Sequence, residues 1–284
     1  MHMPSIRALF RSRGAGRDRF RTNSPMQMLV LLIILAWAAR GPYAQATGTQ
    51  NTPAAPILVE LFTSEGCSSC PPADALLERM DASQPIPGVH LIVLSEHVDY
   101  WNHDGWKDPY SSALITDRQS GYVHSLGLNT AYTPQFIIDG SLELKAGDPE
   151  QARQVFQKDL AAPKVSVQIN SVKVDPTTPA VLHAHIAVNG DSAKRNADIF
   201  VAIALDHAES QVSAGENAGH HLTHVAVLQE LTKVGKLAKG KDFDQEVQLK
   251  LKPGTEAKNI RIIVFVQEPG PGRVLGTALQ KPAQ

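Results

Sequence analysis

Only two of the 284 residues are cysteine, and they stand three apart as Cys67 and Cys70. With no second C-x-x-C, a tetrahedral zinc site of the usual thiolate kind lacks half its ligands. There is no G-x-S-x-G elbow to seat a nucleophilic serine, and no glycine-rich P-loop to cradle a phosphate. Internal repeats and low-complexity tracts are also missing. The apolar run Met28–Ala39 falls short of the ~20 residues that a membrane-spanning helix needs. No cysteine follows that run at a cleavage point, so an N-terminal lipid anchor has no attachment site.

What surrounds the apolar run gives it a meaning. Arg7, Arg11, Arg13, Arg17, Arg19 and Arg21 precede it, and Ala44-Gln45-Ala46 follows it. A basic segment, a short apolar core and small residues spaced A-x-A form the three-part plan of a secretory signal peptide. Residues 1–46 are therefore expected to be removed, with an uncleaved anchor as the alternative. Of the 27 basic and 28 acidic residues, seven arginines and one aspartate go with the leader. That leaves 20 basic against 27 acidic, a net charge of −7, which argues against nucleic acid as a partner. The expected location is secreted or periplasmic, with no stable membrane span after cleavage. Such a compartment is oxidising and favours structural disulfides. Two neighbouring cysteines close only a tiny loop, so they add little to global stability, and a redox role gains weight.

The cysteines lie between two strong local patterns. Ile57-Leu58-Val59-Glu60-Leu61-Phe62 reads as a buried strand within residues 56–63. Ala73, Leu76, Leu77 and Met80 follow the i, i+3, i+4, i+7 spacing of a helix over 71–82. Pro71 and Pro72 are tolerated only in a first turn, which fixes the helix start beside Cys70. A helix N-terminus carries about half a positive charge and unpaired N–H groups. A cysteine there can have its pKa lowered from ~8.5 to about 3.5–7.5. The spacing lets the two sulfurs bond within one turn. Cys67 is expected to be the exposed nucleophile and Cys70 the deeper resolving thiol in thiol–disulfide exchange. The alternative is a copper site of two thiolates and one imidazole, with His97 as the third ligand.

Val89-His90-Leu91-Ile92-Val93-Leu94 is a second strand, and a strand–helix–strand unit of this kind makes a right-handed parallel crossover. Both strands then end on the edge that holds Cys67. A polar and aromatic loop follows, from His97 through Asp99, Tyr100, Trp101, His103 and Asp104 to Trp106. Asp108-Pro109 predicts a helix start, with the helix running to about Leu126 and Gly127 as its stop. Thr133-Pro134 precedes a strand at Gln135–Ile138. Asp139-Gly140 is a hairpin turn leading to Leu142–Leu144. Asp148-Pro149 caps a third helix with Ala152, Val155, Phe156 and Leu160 on its apolar face.

The order βαβαββα over about residues 55–161, with C-x-x-C after the first strand and X-Pro before the third, resembles the thioredoxin-like fold. That resemblance implies a cis bond at Pro134, packed against the active disulfide, with Thr133 presenting backbone to a substrate. It also implies a buried acid in the strand before the cysteines as proton acceptor, and Glu60 is the nearest match. Gly66 departs from the pattern, because thioredoxins place a tryptophan there. Longer stretches are more specific: Leu61-Phe62-Thr63-Ser64-Glu65-Gly66-Cys67, His97-Val98-Asp99-Tyr100-Trp101, Gly105-Trp106-Lys107-Asp108-Pro109 and Tyr132-Thr133-Pro134-Gln135. They are similar to the secreted bacterial domain-of-unknown-function 1223 family, whose fold is thioredoxin-like and whose activity is not established.

Beyond Ala161-Ala162-Pro163 the apolar period changes to two, as at Leu182, Ala184, Ile186 and Val188, and at Ile260, Ile262, Val264 and Val266. About seven short strands are expected, arranged as a β-sandwich. The stretch holding His220, His221 and His224 contains Gly215 and Gly219. It reads as a solvated loop touching the first domain, with an i, i+4 metal site as the rival. The expected architecture is α/β: a leader at 1–46, a linker at 47–55, a thioredoxin-like domain at 56–161 and an all-β sandwich-like domain at 164–284. The expected activity is exchange on a protein or small-thiol disulfide with an unknown redox partner. It needs no cofactor, unless copper binds. A non-enzymatic interaction protein is the third reading. The exported chain should begin at Thr47, and N-terminal sequencing that finds Met1 intact would overturn the leader assignment.

Overall fold

The computed structural model describes residues 54–145, 149–175, 177–178 and 180–282. The expected leader, its cleavage site, nearly all of the linker and Asp148 lie outside the described residues. The described residues fall within one compact unit running from Thr52 to the end of the chain. No helix among them is long and apolar enough to cross a membrane.

The first half follows the expected order. It runs β1 (Ala55–Thr63), α1 (Pro71–Ser83), β2 (Val89–His97), α2 (Ala113–Ser125), β3 (Gln135–Ile138), β4 (Leu142–Leu144) and α3 (Pro149–Leu160). β2 runs parallel to β1 in a nine-residue register from Ala55↔Val89 to Thr63↔His97. β3 is antiparallel to β1, with Phe62 opposite Gln135. The turn at Asp139 and Gly140 uses positive φ at both residues (42° and 61°), which suits the right-handed twist of a two-residue hairpin.

α2 departs from its expected start. The helix begins at Ala113, where the Ser112 side chain accepts a hydrogen bond from the Ile115 N–H. Asp108 is not a cap. Its carboxylate is drawn inward, where it accepts from the backbone N–H groups of Glu65 and Tyr110. Four more residues of loop are thereby ordered around a buried acid.

Seven strands are described after residue 163: β5 (Ser166–Val174), β6 (Val181–Asn189), β7 (Ala197–Gln211), β8 (His221–Leu237), β9 (Phe243–Lys250), β10 (Ile260–Gln267) and β11 (Val274–Gln280). They divide between two sheets. β5, β6 and β9 form a three-stranded sheet, while the other four extend the first sheet to eight strands in the order β11-β10-β7-β8-β2-β1-β3-β4. β8 meets β2 in parallel at Ser95↔Val227. The large sheet thus runs unbroken past the position where the sequence marks a domain boundary. Period-two patterning reports which strands have one buried face, but it does not say which sheet they join.

Three apolar clusters follow from this layering. α1 and α3 bury Leu77, Met80, Val155 and Phe156 against Val59, Leu61 and Val93 on one face of the sheet. α2 buries Ile115 and Tyr122 against Leu58, Phe62 and Ile137 on the opposite face. The small sheet packs Leu182, Ile186 and Leu249 onto Ile199, Val201, Ile262 and Val264. Arg261 ties the halves together, with a two-bonded contact to Asp81 of α1 at 2.9 and 3.0 Å and a further pairing with Asp206.

The approach of the two sheets is close where β5 begins. The Val165 N–H donates to the Leu275 carbonyl at 2.7 Å, and a β-carbon added at Gly276 would lie 2.2 Å from the Val165 carbonyl oxygen. Backbone cannot yield as a flexible side chain does, so Gly276→Ala should cost about 1–3 kcal/mol. Thermal unfolding should show a drop of several degrees, at roughly 2–4 °C per kcal/mol for a chain of this size. An unchanged midpoint would mean that the sheets are not in this contact.

Candidate functional site

Cys67 and Cys70 form a disulfide with their Cα atoms 5.4 Å apart. Cys70 is the N-cap of α1, and Pro71 and Pro72 occupy its first turn. The turn before them is tightly held. The Cys67 N–H donates to the Ser64 carbonyl, and the Gly66 N–H donates to Ser64 Oγ. Gly66 has a steric reason here, since a β-carbon would stand 2.9 Å from Trp101 Cβ. A tryptophan at this position has no room.

Both cysteines are fully buried, while Ser68 and Ser69 between them are exposed. The expected exposure of Cys67 is therefore corrected. The tip of the β7–β8 hairpin, a segment from the far half of the chain, is bonded to the cysteine turn. Asn217 Nδ2 donates to the carbonyls of Glu65 at 2.8 Å and Cys67 at 3.0 Å. The Glu216 carboxylate accepts from the Ser68 N–H at 3.0 Å. The expectation that this glycine-containing stretch is a loop touching the first half holds for residues 212–220. His224, however, lies in β8 and is buried.

Beneath the cysteine turn sits a cluster of buried ionisable groups. His97 Nδ1 lies 2.7 Å from Asp108 Oδ2. The rings of His97 and His224 meet edge to face, 4.7 Å between centroids. His224 Nε2 is 3.3 Å from Glu65 Oε1, and its Nδ1 is 3.9 Å from Asp74 Oδ1. Thr63 donates to the other Asp74 oxygen, and Trp106 Nε1 donates to Glu65 at 2.8 Å. A cleft of about 160 Å³, lined by residues that include Pro71, Asp74, Leu222 and His224, opens on this cluster.

The electrostatics follow from burial and pairing. Burial alone would lower the His97 pKa, but Asp108, Asp74 and Glu65 outweigh it and the net shift is upward. Burial would raise Asp108, yet His97 and the two backbone N–H groups hold it below the usual carboxylate range. Asp74 is raised, because burial wins over the attraction of His224 and His97. Asp108 therefore gives up its proton more readily than an ordinary aspartate and His97 holds one more readily than an ordinary histidine, while Asp74 holds a proton more readily than an ordinary aspartate.

The other expected site residues separate. Thr133–Pro134 is cis and lies just ahead of β3, at the sheet edge where β1 ends. Trp101 Nε1 donates to Thr133 Oγ1 at 2.8 Å. Glu60 does not join the cluster. Its side chain lies on the α2 side of the sheet, where Arg118 Nε donates to it at 2.9 Å and the Tyr122 hydroxyl at 2.7 Å. Alternation along β1 explains this. Thr63, three residues on, points to the α1 side and reaches Asp74 instead. Asp99 accepts from Thr116 of α2, and His103 pairs with Asp104 on the exposed loop.

Sequence reasoning gave no role at the cysteine turn to Glu65, Asp74, Glu216 or Asn217, and took His224 for part of a loop or a metal site. Asp74 carried a signal, being one helical turn beyond Cys70. Glu65 stands two residues before Cys67, while Glu216, Asn217 and His224 arrive through strand pairing from more than 140 residues away, for which no local pattern exists. Among the described residues, no group of three or more His, Cys, Asp or Glu is arranged to hold a metal ion.

Residues 58–267 match the family described as "Protein of unknown function (DUF1223)". The chain belongs to that family. A DUF1223 assignment brings a shared sequence pattern without an activity. The chain is also similar to a structure from Agrobacterium tumefaciens, a structural-genomics target. That likeness has 28% identity and a TM-score of 0.62, covering 80% of this chain and 95% of that one. HBP35 of Porphyromonas gingivalis is similar in fold alone, at 14% identity and a TM-score of 0.59, covering 81% of this chain and 76% of that one. No curated protein matches the chain.

His97 provides a test of the cluster. Its pKa is raised in the folded protein, so its charged form contributes fully below the unfolded value of ~6.5 and fades as pH rises through the folded value. Replacing one member of a buried pair costs about 3–5 kcal/mol while both are charged. His97→Gln should therefore lose about 3 kcal/mol near pH 6 and distinctly less near pH ~9. Urea unfolding at both pH values measures this, and equal losses would exclude a charged His97.

Proposed function

We propose that this chain is an exported, thioredoxin-like thiol–disulfide exchange protein working through Cys67 and Cys70. The observation that carries the reading is the disulfide itself, formed by the chain's only two cysteines at a strand-to-helix junction above a cluster of perturbed ionisable groups. Perturbed groups concentrate where chemistry is done. The βαβαββα order, with β3 antiparallel to β1, supports the thioredoxin-like description, and the basic segment, apolar run and Ala44-Gln45-Ala46 at the N-terminus support export. The sandwich-like description of the second half is supported by the small sheet packing across β7 and β10.

The reaction balances in two steps. In the reduced protein the Cys67 thiolate attacks a substrate disulfide, forming a mixed disulfide and releasing one substrate thiolate. Cys70 then attacks Cys67 Sγ, re-forming the Cys67–Cys70 bond and releasing the second thiolate. Two electrons pass to the substrate and two protons follow. Thr133, with Pro134 beside it, offers backbone to the substrate at the sheet edge. Asp74 takes the proton-handling role first assigned to Glu60, since its carboxyl lies one turn beyond Cys70 and its pKa is raised.

A copper reading has one supporting observation: Nε2 of buried His97 makes no hydrogen bond among the described residues. Cu(I) titration of the reduced protein separates the two readings. Stoichiometric binding lost in both Cys67→Ser and His97→Ala favours the metal.

The exchange reading is tested by insulin reduction with a small-thiol reductant. Wild-type protein should accelerate it, and Cys67→Ser or Cys70→Ser should return the rate to background. A reduction potential near about −270 mV would mark a reductant, and one near about −120 mV an oxidant. Wild-type protein that does no better than the double serine variant removes the reading.

A further inference from the structure

The hairpin tip is a separate finger on a fixed base. Its neck is pinned by the Val212 N–H to the His220 carbonyl at 2.9 Å and the Gly219 N–H to the Val212 carbonyl at 2.8 Å. Between these, only Asn217 is buried; Ser213, Glu216 and Ala218 are exposed. Gly215 and Gly219 both have positive φ, at 75° and 85°, so the finger bends at positions where glycine is at ease. Its hold on the cysteine turn consists of Asn217 on two carbonyls and Glu216 on one N–H. Gly215 rests on the Asp104–Trp106 backbone, where a β-carbon would meet Trp106 Cβ at 3.1 Å.

These contacts take the backbone groups around Cys67 that an incoming chain would use. The Cys67 carbonyl and the Ser68 N–H are both filled from within the molecule. Meanwhile both cysteines have no exposed surface. A disulfide is exchanged only when a thiolate reaches a sulfur in line, so something must move first. The finger is joined to the cysteine turn by side-chain hydrogen bonds from Glu216 and Asn217, while the neck keeps it tethered.

We infer that the 213–218 finger is a gate over the Cys67–Cys70 pair, with Asn217 and Glu216 as the residues that decide which thiols reach it. Closed, it excludes a protein thiol, which needs room for its own backbone, more strongly than a small thiol. Open, it admits both. The inference rests on the exchange reading for its biological purpose, but the gate itself is read from the protein's own disulfide.

The experiment uses the full mature chain, oxidised, with two reductants: dithiothreitol and a reduced thioredoxin. In each case one reductant thiolate attacks a sulfur of the Cys67–Cys70 bond. The reductant's second thiol then releases it, leaving Cys67 and Cys70 as thiols and the reductant as its disulfide. Rates are followed by mass spectrometry after acid quench and alkylation. Wild-type protein should react slowly with thioredoxin relative to dithiothreitol. Asn217→Gly with Glu216→Ala removes the three hydrogen bonds and should raise the thioredoxin rate about tenfold or more, with a smaller rise for dithiothreitol. Glu216→Ala alone, at an exposed position, should give an intermediate value. Matching melting curves confirm that the variants are folded.

An unchanged ratio of the two rates in a folded double variant overturns the gate. So does a wild-type chain that thioredoxin reduces as readily as dithiothreitol does. The exchange reading fails separately, through insulin turnover. A chain that turns over no substrate, yet opens to thioredoxin in the variant, keeps the gate and loses the exchange function.

Discussion

Everything around the cysteines depends on β8 lying beside β2. Their parallel contact is short, at Ser95↔Val227, but it decides what stands beneath the disulfide. Without β8, Glu65 and Asp74 would be two buried carboxylates with one hydroxyl and one indole N–H between them. With it, His224 enters between them, and the hairpin that leads into β8 sets Asn217 on the Glu65 and Cys67 carbonyls. Buried charge without a partner costs several kcal/mol per group. The pairing of the two halves therefore also supplies the buried carboxyls with an imidazole partner.

The same logic holds the opposite face. Arg118 of α2 is buried between Glu60 and Glu96 and also reaches Gln267 of β10. Glu96 is pushed well above the usual carboxylate range by burial, with Glu60 beside it adding to the effect. One guanidinium among two carboxyls suits one charged and one neutral acid. Glu60 looks like a catalytic carboxylate when only its position before the cysteines is known. In the fold it is a structural counter-ion that anchors α2 to the strands of both halves.

The first half was legible because its signals are local. Apolar runs, Pro71-Pro72, Asp139-Gly140 and Thr133-Pro134 each act within a few residues, and the strands and helices stand close to where they point. Asp108 misled because Asp before Pro is a good helix start, and nothing nearby revealed that the carboxylate was needed by Glu65, Tyr110 and His97 instead. The second half was legible as seven strands, but not as an extension of the first sheet. Alternation at Ile199, Val201 and Ile203 states that one face is apolar. Which partner covers that face is a question of pairing between distant strands.

The helix N-terminus carries a different balance from the one its sequence suggested. Pro71 and Pro72 remove two backbone donors from the first turn. The N–H groups of Ala73 and Asp74 turn back to the Cys70 carbonyl at 2.8 and 3.1 Å. The Ser68 N–H just ahead is taken by the Glu216 carboxylate. Few free donors are left to favour a thiolate by hydrogen bonding. The groups beneath add three carboxyls, Glu65, Asp74 and Asp108, against two imidazoles. Such an acid-rich floor opposes a second negative charge nearby. The helix dipole and His97, whose pKa is raised, act the other way. Closing the finger adds Glu216 to the acidic side. Opening it removes that carboxylate and frees the Ser68 N–H in one movement. The position of the finger therefore changes the electrostatic setting of the sulfurs together with access to them.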